Sequence, residues 1–472
     1  MPVTTTHRDY DRHVDRWRQY RDAAEGEHAV KDRGEKYLPR KSVKQTDKEY
    51  EAYKQRALYF NATGRTREGL VGLPWRRKPD IEAPDAMQPI LDDATMDGIT
   101  LQELGKQATE EVITVGRAGI LVDYPPVTDV PASLAEYERS GNRPYATLYT
   151  AEAVTNWDET RIGNQMMLTR VVLRETLWET SAEDEFEHDE VEQYRVLDLT
   201  DEGYRQRLYR KIKKEWAVVE EYYPKMNGRV MRFIPFEFLG PVNGLTSIQK
   251  SPIADLAVVN LSHYRTMADL ENGRHWCGSP TPVFIGEFQS TDGEEVTEVK
   301  LGSESGIQMT EGSEALYLEF TGAGLNELRE ADRQKREMMV VLGTRILAED
   351  KRQTEAAETA RIHRAGEEST LQSIVQSVTR SMTRVMEYLR DWLGVVGDVA
   401  FEINTDFVPS KMTPQELTAV VDSWQRGGLT TPDLFWQLKQ GEMVRSDKTL
   451  EEHQTELEDE GPRLGLMGGG FE

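Results

Sequence analysis

One periodic segment constrains this chain more than any other. Between residues 355 and 393, Leu371, Ile374, Val375, Val378, Met382, Val385, Met386, Leu389, Trp392 and Leu393 recur at helical spacing behind the helix-forming run Ala356-Ala357-Glu358-Thr359-Ala360. Such a helix is roughly 57 Å long at ~1.5 Å per residue, too long for one small core, so it must span something. Gly366 is the expected place for a bend.

The segments before it come in a definite order. Ser251-Pro252 reads as an N-cap followed by proline at the first helical position, where its missing N–H costs nothing. Ile253, Leu256, Ala257, Asn260, Tyr264, Met267 and Leu270 then form one stripe that needs a partner surface and runs to about Trp276. Gly278-Ser279-Pro280 ends it, and strand candidates follow at 281–286, 298–301, 306–309 and 315–320. Helix resumes over 325–342 with charged residues between its apolar positions, which reads as a surface or interface helix. Residues 343–354 read as a loop carrying Arg345, Glu349, Asp350, Lys351 and Arg352.

The small β-module at 277–323 holds nine acidic residues, Glu287, Asp292, Glu294, Glu295, Glu298, Glu304, Glu311, Glu314 and Glu319, against Lys300, a local charge of −8. It repels phosphate and favours a basic partner. A solvated hairpin whose charges guard an edge has the same composition.

The N-terminal half reads as α+β. Polar helices are expected over 6–29 and 46–72, and a helix over 100–115 leads into a strand at 119–123. Strands at 145–149, 165–178, 192–198, 203–212, 215–223 and 232–238 make a mostly antiparallel lobe, with 181–190 an acidic hairpin turn. Beyond Asp406, Thr413-Pro414-Gln415-Glu416 and Thr431-Pro432-Asp433 each open a helix, and the tail from Thr455 reads as mobile. A length of 472 residues is enough for two to four domains. No long apolar run or basic-then-apolar start indicates a membrane span or a secretory signal. The lone Cys277 excludes an intrachain disulfide framework and fits a reducing cytoplasm.

Catalytic patterns are poor. Residues 98–106 superficially resemble a phosphate loop, but the glycines are misspaced, Gln107 replaces the Ser/Thr that would hold magnesium, and the segment reads as helix. His263, Asp269, Glu271, His275 and Cys277 do not make a four-ligand metal set and read as helix-surface or interface residues. No nucleophile, cofactor or metal site can be nominated.

Several stretches carry a resemblance. Pro252-Ile253-Ala254-Asp255-Leu256-Ala257, Asn260-Leu261-Ser262-His263-Tyr264-Arg265 and Ala360-Arg361-Ile362-His363-Arg364-Ala365-Gly366-Glu367 resemble signatures of one subgroup of tailed-bacteriophage portal proteins. Tyr50-Glu51-Ala52-Tyr53, Phe60-Asn61-Ala62-Thr63 and Gly69-Leu70-Val71-Gly72 are similar to its first wing helix, and Gly116 to Pro125 to its wing strand. The resemblance implies an α+β portal fold. Residues 1–250 would be the N-terminal wing, 251–276 the first stem helix, 277–323 the clip, 324–342 the second stem helix and 343–354 the tunnel loop. Residues 355–410 would be the long bent wing helix with a returning strand, and 411–472 a helical crown and flexible tail.

It further implies a ring, usually of twelve copies, at one vertex of a virion capsid assembled in the host cytoplasm. Double-stranded DNA would pass through it non-specifically, pumped by terminase. The partners implied are the terminase large subunit, a head-to-tail adaptor, and the major capsid and scaffold proteins, with no membrane and no cofactor. Arg345, Lys351 and Arg352 would face the DNA channel, and Glu287, Asp292, Glu294, Glu295, Glu298 and Glu304 would dock terminase and adaptor. Twelve helices of ~10 Å diameter side by side enclose an opening of roughly 28 Å, wider than a ~20 Å duplex. The chain's 58 basic and 83 acidic residues, a net charge of −25, suit a conduit that must not grip phosphate, whereas a site-specific DNA reader is usually basic. Other readings of the same sequence are another virion component, such as an adaptor or tail protein, or an acidic α+β enzyme.

Overall fold

The computed structural model describes residues 2–125, 142–181, 184, 186–278, 281–286, 311–318, 323–344, 357–405, 407, 414–441, 443–444 and 448–459. The first half contains α1 Arg8–Glu25, α2 Glu27–Asp32, α3 Asp47–Arg56, α4 Ala62–Gly72, β1 Asp80–Glu82, α5 Gln88–Asp92, α6 Leu101–Val115 and β2 Ala118–Asp123. Then come β3 Tyr145–Thr150, β4 Val154–Ile162, β5 Gln165–Thr180, β6 His188–Thr200, β7 Gly203–Ile212, β8 Glu215–Tyr222, β9 Lys225–Met226, β10 Arg229–Val230 and β11 Phe236–Leu239. The second half has α7 Ala254–Gly278, β12 Thr281–Ile285, β13 Glu314–Leu318, α8 Ala323–Met339, α9 Ala357–Leu393 and β14 Ala400–Glu402. The helices α10 Pro414–Gln425, α11 Thr431–Gln440 and α12 Leu450–Asp459 close the chain. It is an α+β protein whose described strand pairs are all antiparallel.

Two compact units divide these elements. One comprises Met1–Val14, Glu68–Pro252 and Gln353–Glu472, and the other Asp15–Arg67 and Ile253–Arg352.

In the first unit, Thr100 and Glu103 form a reciprocal capping box at 3.0–3.1 Å, which fixes the start of α6 within 98–106, the segment read as helix. The wholly buried β2 lies between β11 and β3, while β4 to β8 form a five-stranded meander. On α9, Leu371, Ile374, Val375, Val378, Met382, Val385, Met386 and Leu389 are buried, as their spacing requires. Trp392 is 7% exposed and stacks on Tyr124 with ring centroids 5.7 Å apart. Helix continues unbroken through Gly366.

Several boundaries differ from the sequence expectation, each for a local reason. The helix expected over 6–29 is split by Gly26, whose φ of 120° is unsuited to side-chain-bearing residues. The helix expected over 46–72 is two, because the Asn61 side chain accepts from the Gly64 N–H at 2.7 Å and caps a new start. Strand β4 has no counterpart among the expected strands; half its residues are exposed, which blurs the alternation. The strand expected over 232–238 begins only at Phe236. Thr430, not Thr431, caps α11 through Asp433. Residues 455–459, expected in the mobile tail, belong to α12.

Candidate functional site

The helix–hairpin–helix of the second unit holds the residues to which the resemblance gives roles. Its first helix, α7, begins at Ala254, two residues later than expected. The buried Ser251 hydroxyl donates to the carbonyls of Ile113 and Thr114 at 3.1 and 2.8 Å, where α6 ends. Ala257, Leu261, Tyr264 and Ala268 pack with Tyr37, Tyr50, Tyr53 and Tyr59. The polar member of the stripe, Asn260, is fully buried. Its Oδ1 accepts from the N–H and hydroxyl of Thr63 at 3.0 and 2.9 Å, and its amide donates to the Phe60 carbonyl at 2.8 Å. The stripe of α7 therefore finds its partner inside the same chain.

The seam between α7 and α8 is polar as well as apolar. His263, read from sequence as a helix-surface or interface residue, is instead buried, with Nε2 2.6 Å from Asp332 Oδ1. Burial holds its imidazole below the ordinary 6.5, outweighing Asp332, which acts in the opposite direction. Lys335 Nζ donates to the Ser262 carbonyl at 3.0 Å and also to the Thr266 hydroxyl, and burial lowers its pKa too. Met267, Leu270 and Leu325 complete the seam, and a Cβ on Gly273 would stand 2.5 Å from Leu325 Cδ2, so a larger residue there requires the Leu325 side chain to move. The His263–Asp332 contact ties α7 to α8, and the partly exposed Asp332 carboxylate also accepts from Arg336 Nε at 3.2 Å.

Strands β12 and β13 pair from Thr281 with Leu318 to Ile285 with Glu314. Ile285, Leu316 and Tyr317 are exposed on this hairpin, as are Glu311 and Glu314. At the far end of α8, Met338, Val340, Val341 and Leu342 are exposed, with Val341 at 62%. The predicted clip residues Glu287, Asp292, Glu294, Glu295, Glu298 and Glu304 lie outside the described residues, as do the strands expected at 298–301 and 306–309 and the tunnel-loop residues Arg345, Lys351 and Arg352.

Among the described residues no group of three or more potential ligands could hold a metal. The acidic residues near the end of α7 are engaged separately: Asp269 accepts from the Tyr53 hydroxyl at 2.8 Å and pairs with Lys41 at 3.2 Å, while Glu271 pairs with Arg274 at 2.5 Å.

A second concentration of buried charge, in the first unit, has no signature in the sequence because its members lie on separate strands. Asp123 on β2 accepts from Gln206 at 2.9 Å and lies 3.7 Å from Arg195. Arg195 donates to Glu175 at 2.7 Å, and the Tyr149 hydroxyl donates to the same carboxylate at 2.6 Å. Burial raises the Asp123 pKa, with Arg195 opposing. Arg117 lies between Trp157 and Phe238, 4.3 and 4.1 Å from the ring centres, and burial pushes it down to about 9. These groups tie β2 and β3 to the five-stranded sheet.

Residues 252–393 match a family model described as a domain of unknown function, DUF4055. No curated protein matches the chain. A solved structure described as the neck of a native GTA particle computed with C12 symmetry is 11% identical over 78% of this chain and 86% of that one, with a TM-score of 0.36. An overlap that low carries no argument about shared function.

Proposed function

We propose that this chain is the subunit of a portal ring at a capsid vertex, through which double-stranded DNA is packaged by terminase and later ejected. The observation that carries the reading is the order of elements within 252–393: a 25-residue helix, a two-stranded hairpin, a charged helix paired with the first, and a 37-residue helix belonging to the other unit. That is the order the sequence resemblance implies for stem, clip, stem and wing. In this reading α7 and α8 are the stem, and the segment between them is the clip that docks terminase and then the head-to-tail adaptor through its acidic residues. Residues 343–354 are the tunnel loop. Capsid and scaffold proteins would contact the rest of the ring.

The exposed apolar residues of the hairpin and of the end of α8 support this, since a monomer gains nothing by presenting them to water. The expected need to bury the α7 stripe between subunits does not, because the chain already buries it.

Deleting residues 286–318 and closing the gap with a short linker tests the clip. The variant should keep the wing folded but no longer capture the terminase large subunit, and undiminished capture or DNA packaging would refute the assignment. Replacing Lys351 and Arg352 by alanine should leave assembly intact while changing packaging or DNA retention in a salt-dependent way. Unchanged retention across salt concentrations would make them bystanders.

A further inference from the structure

The five-stranded sheet of the first unit carries two hairpin tips of opposite character at the same end. Strands β5 and β6 meet in a tip held by the Ser181 N–H donating to the Glu187 carbonyl at 2.8 Å and the Phe186 N–H donating to Asp184 at 2.9 Å. It exposes Asp184, Glu187, Asp189 and Glu190, and beside them two aromatic rings, Trp178 at 68% and Phe186 at 83% exposure. Strands β7 and β8 meet at Lys213-Lys214, both left-handed with φ of 49° and 78°, a two-residue turn that points both ammonium groups into solvent. Ile212 and Val218 are exposed next to it.

Where the two tips face each other within the sheet, their charges already cancel: Arg210 pairs with Glu179 at 3.1 Å and Lys211 with Glu192 at 3.6 Å. The remaining surplus is on the outward sides. Lys213 and Lys214 make no ion pair among the described residues, and Glu215 beside them offsets only part of their charge.

We propose that the β7–β8 tip of one subunit seats on the β5–β6 tip of the next, so that Lys213 and Lys214 meet the acidic turn while Trp178 and Phe186 are covered. The occupant is a second copy of this chain because both halves of the contact, each with its own charge and apolar anchors, are on one molecule. A neighbour displaced head to tail satisfies both, the heterologous contact from which cyclic rings close, whereas a two-fold pairing of the same tips would stop at a dimer. This rests on the ring reading above and assigns a surface to it.

The test uses the full chain imaged in negative stain at low and high salt. Lys213→Asp with Lys214→Asp, which keeps residues that tolerate the left-handed turn, should lower the yield of closed rings about tenfold at low salt, where exposed charges are least screened. Adding Glu187→Lys and Glu190→Lys to the same chain should restore it. For a readout independent of those substitutions, Phe186→Cys chains and Lys213→Cys chains, both with Cys277→Ser, are given different tags and mixed. A bismaleimide should produce a two-tag dimer only in the mixture. Wild-type ring yields in the reversed variants together with no two-tag dimer overturn this surface and leave the ring reading standing. Absence of rings from the unaltered chain overturns both.

Discussion

The two helices that pair in the second unit, α7 and α8, have opposite roles. Helix α7 buries Leu256, Ala257, Leu261, Tyr264 and Leu270 while Asp255, Val258 and Arg265 stay exposed, and its buried polar residues Asn260 and His263 are taken up by Thr63, Phe60 and Asp332. Helix α8 offers Leu325, Leu328 and Met339 to the core, and its outer side carries exposed pairs such as Arg333 with Glu330 and Glu337, each at 2.6 Å. One helix carries the unit's stability; the other faces outward. Substitutions should therefore fall in steep order across the pair.

The largest loss is expected at Tyr264, which is 1% exposed and edge-on to Tyr59 at 5.9 Å. Tyr264→Ala should cost ~3–5 kcal/mol in urea unfolding, as truncation of a buried aromatic generally does. A loss below about 1 kcal/mol would contradict the placement of α7 in the core.

The seam comes next. Asp332→Ala strands the buried His263 Nε2 without a partner and should cost ~1–3 kcal/mol at pH 7. His263 also sets a pH response. Its folded-state pKa lies below 6.5, so the unfolded chain binds more protons; the stability it contributes is complete above pH 6.5 and is lost as pH falls below that value. Replacing it by glutamine, which cannot gain the proton, should flatten that limb of the stability curve. An unchanged slope would assign the acid sensitivity to other groups.

Arg333→Ala should leave the melting temperature of the unit essentially unchanged, since both of its ion pairs are in water. A clear destabilisation would mean that α8 is anchored in the core as firmly as α7.

Much of this was legible in the sequence where spacing and burial coincide. The stripe of α9, the capped start of α6 and the long strands β5 to β8 all follow from periodicity and turn chemistry. Other features depend on partners far along the chain and leave no local mark. Ser251 reads locally as a helix start, and nothing near it in sequence shows that its hydroxyl donates to carbonyls 137 and 138 residues away. His263 looks like a surface residue until Asp332, 69 residues on, seals it. The stripe of α7 asked for a partner surface, and spacing alone does not say whether that surface is in the same chain or in a neighbour. Of the candidate site, the flanking helices and the hairpin base were legible, whereas the acidic clip residues and Arg345, Lys351 and Arg352 fall outside the described residues.

Ring formation is tested by the assembly state of the purified 472-residue chain, read by negative-stain imaging together with native mass. A portal subunit gives closed rings with a central opening wide enough for a duplex and a mass that is a whole multiple of 53.9 kDa. A compact particle of 53.9 kDa with no opening, at concentrations where a stable ring would persist, would contradict it.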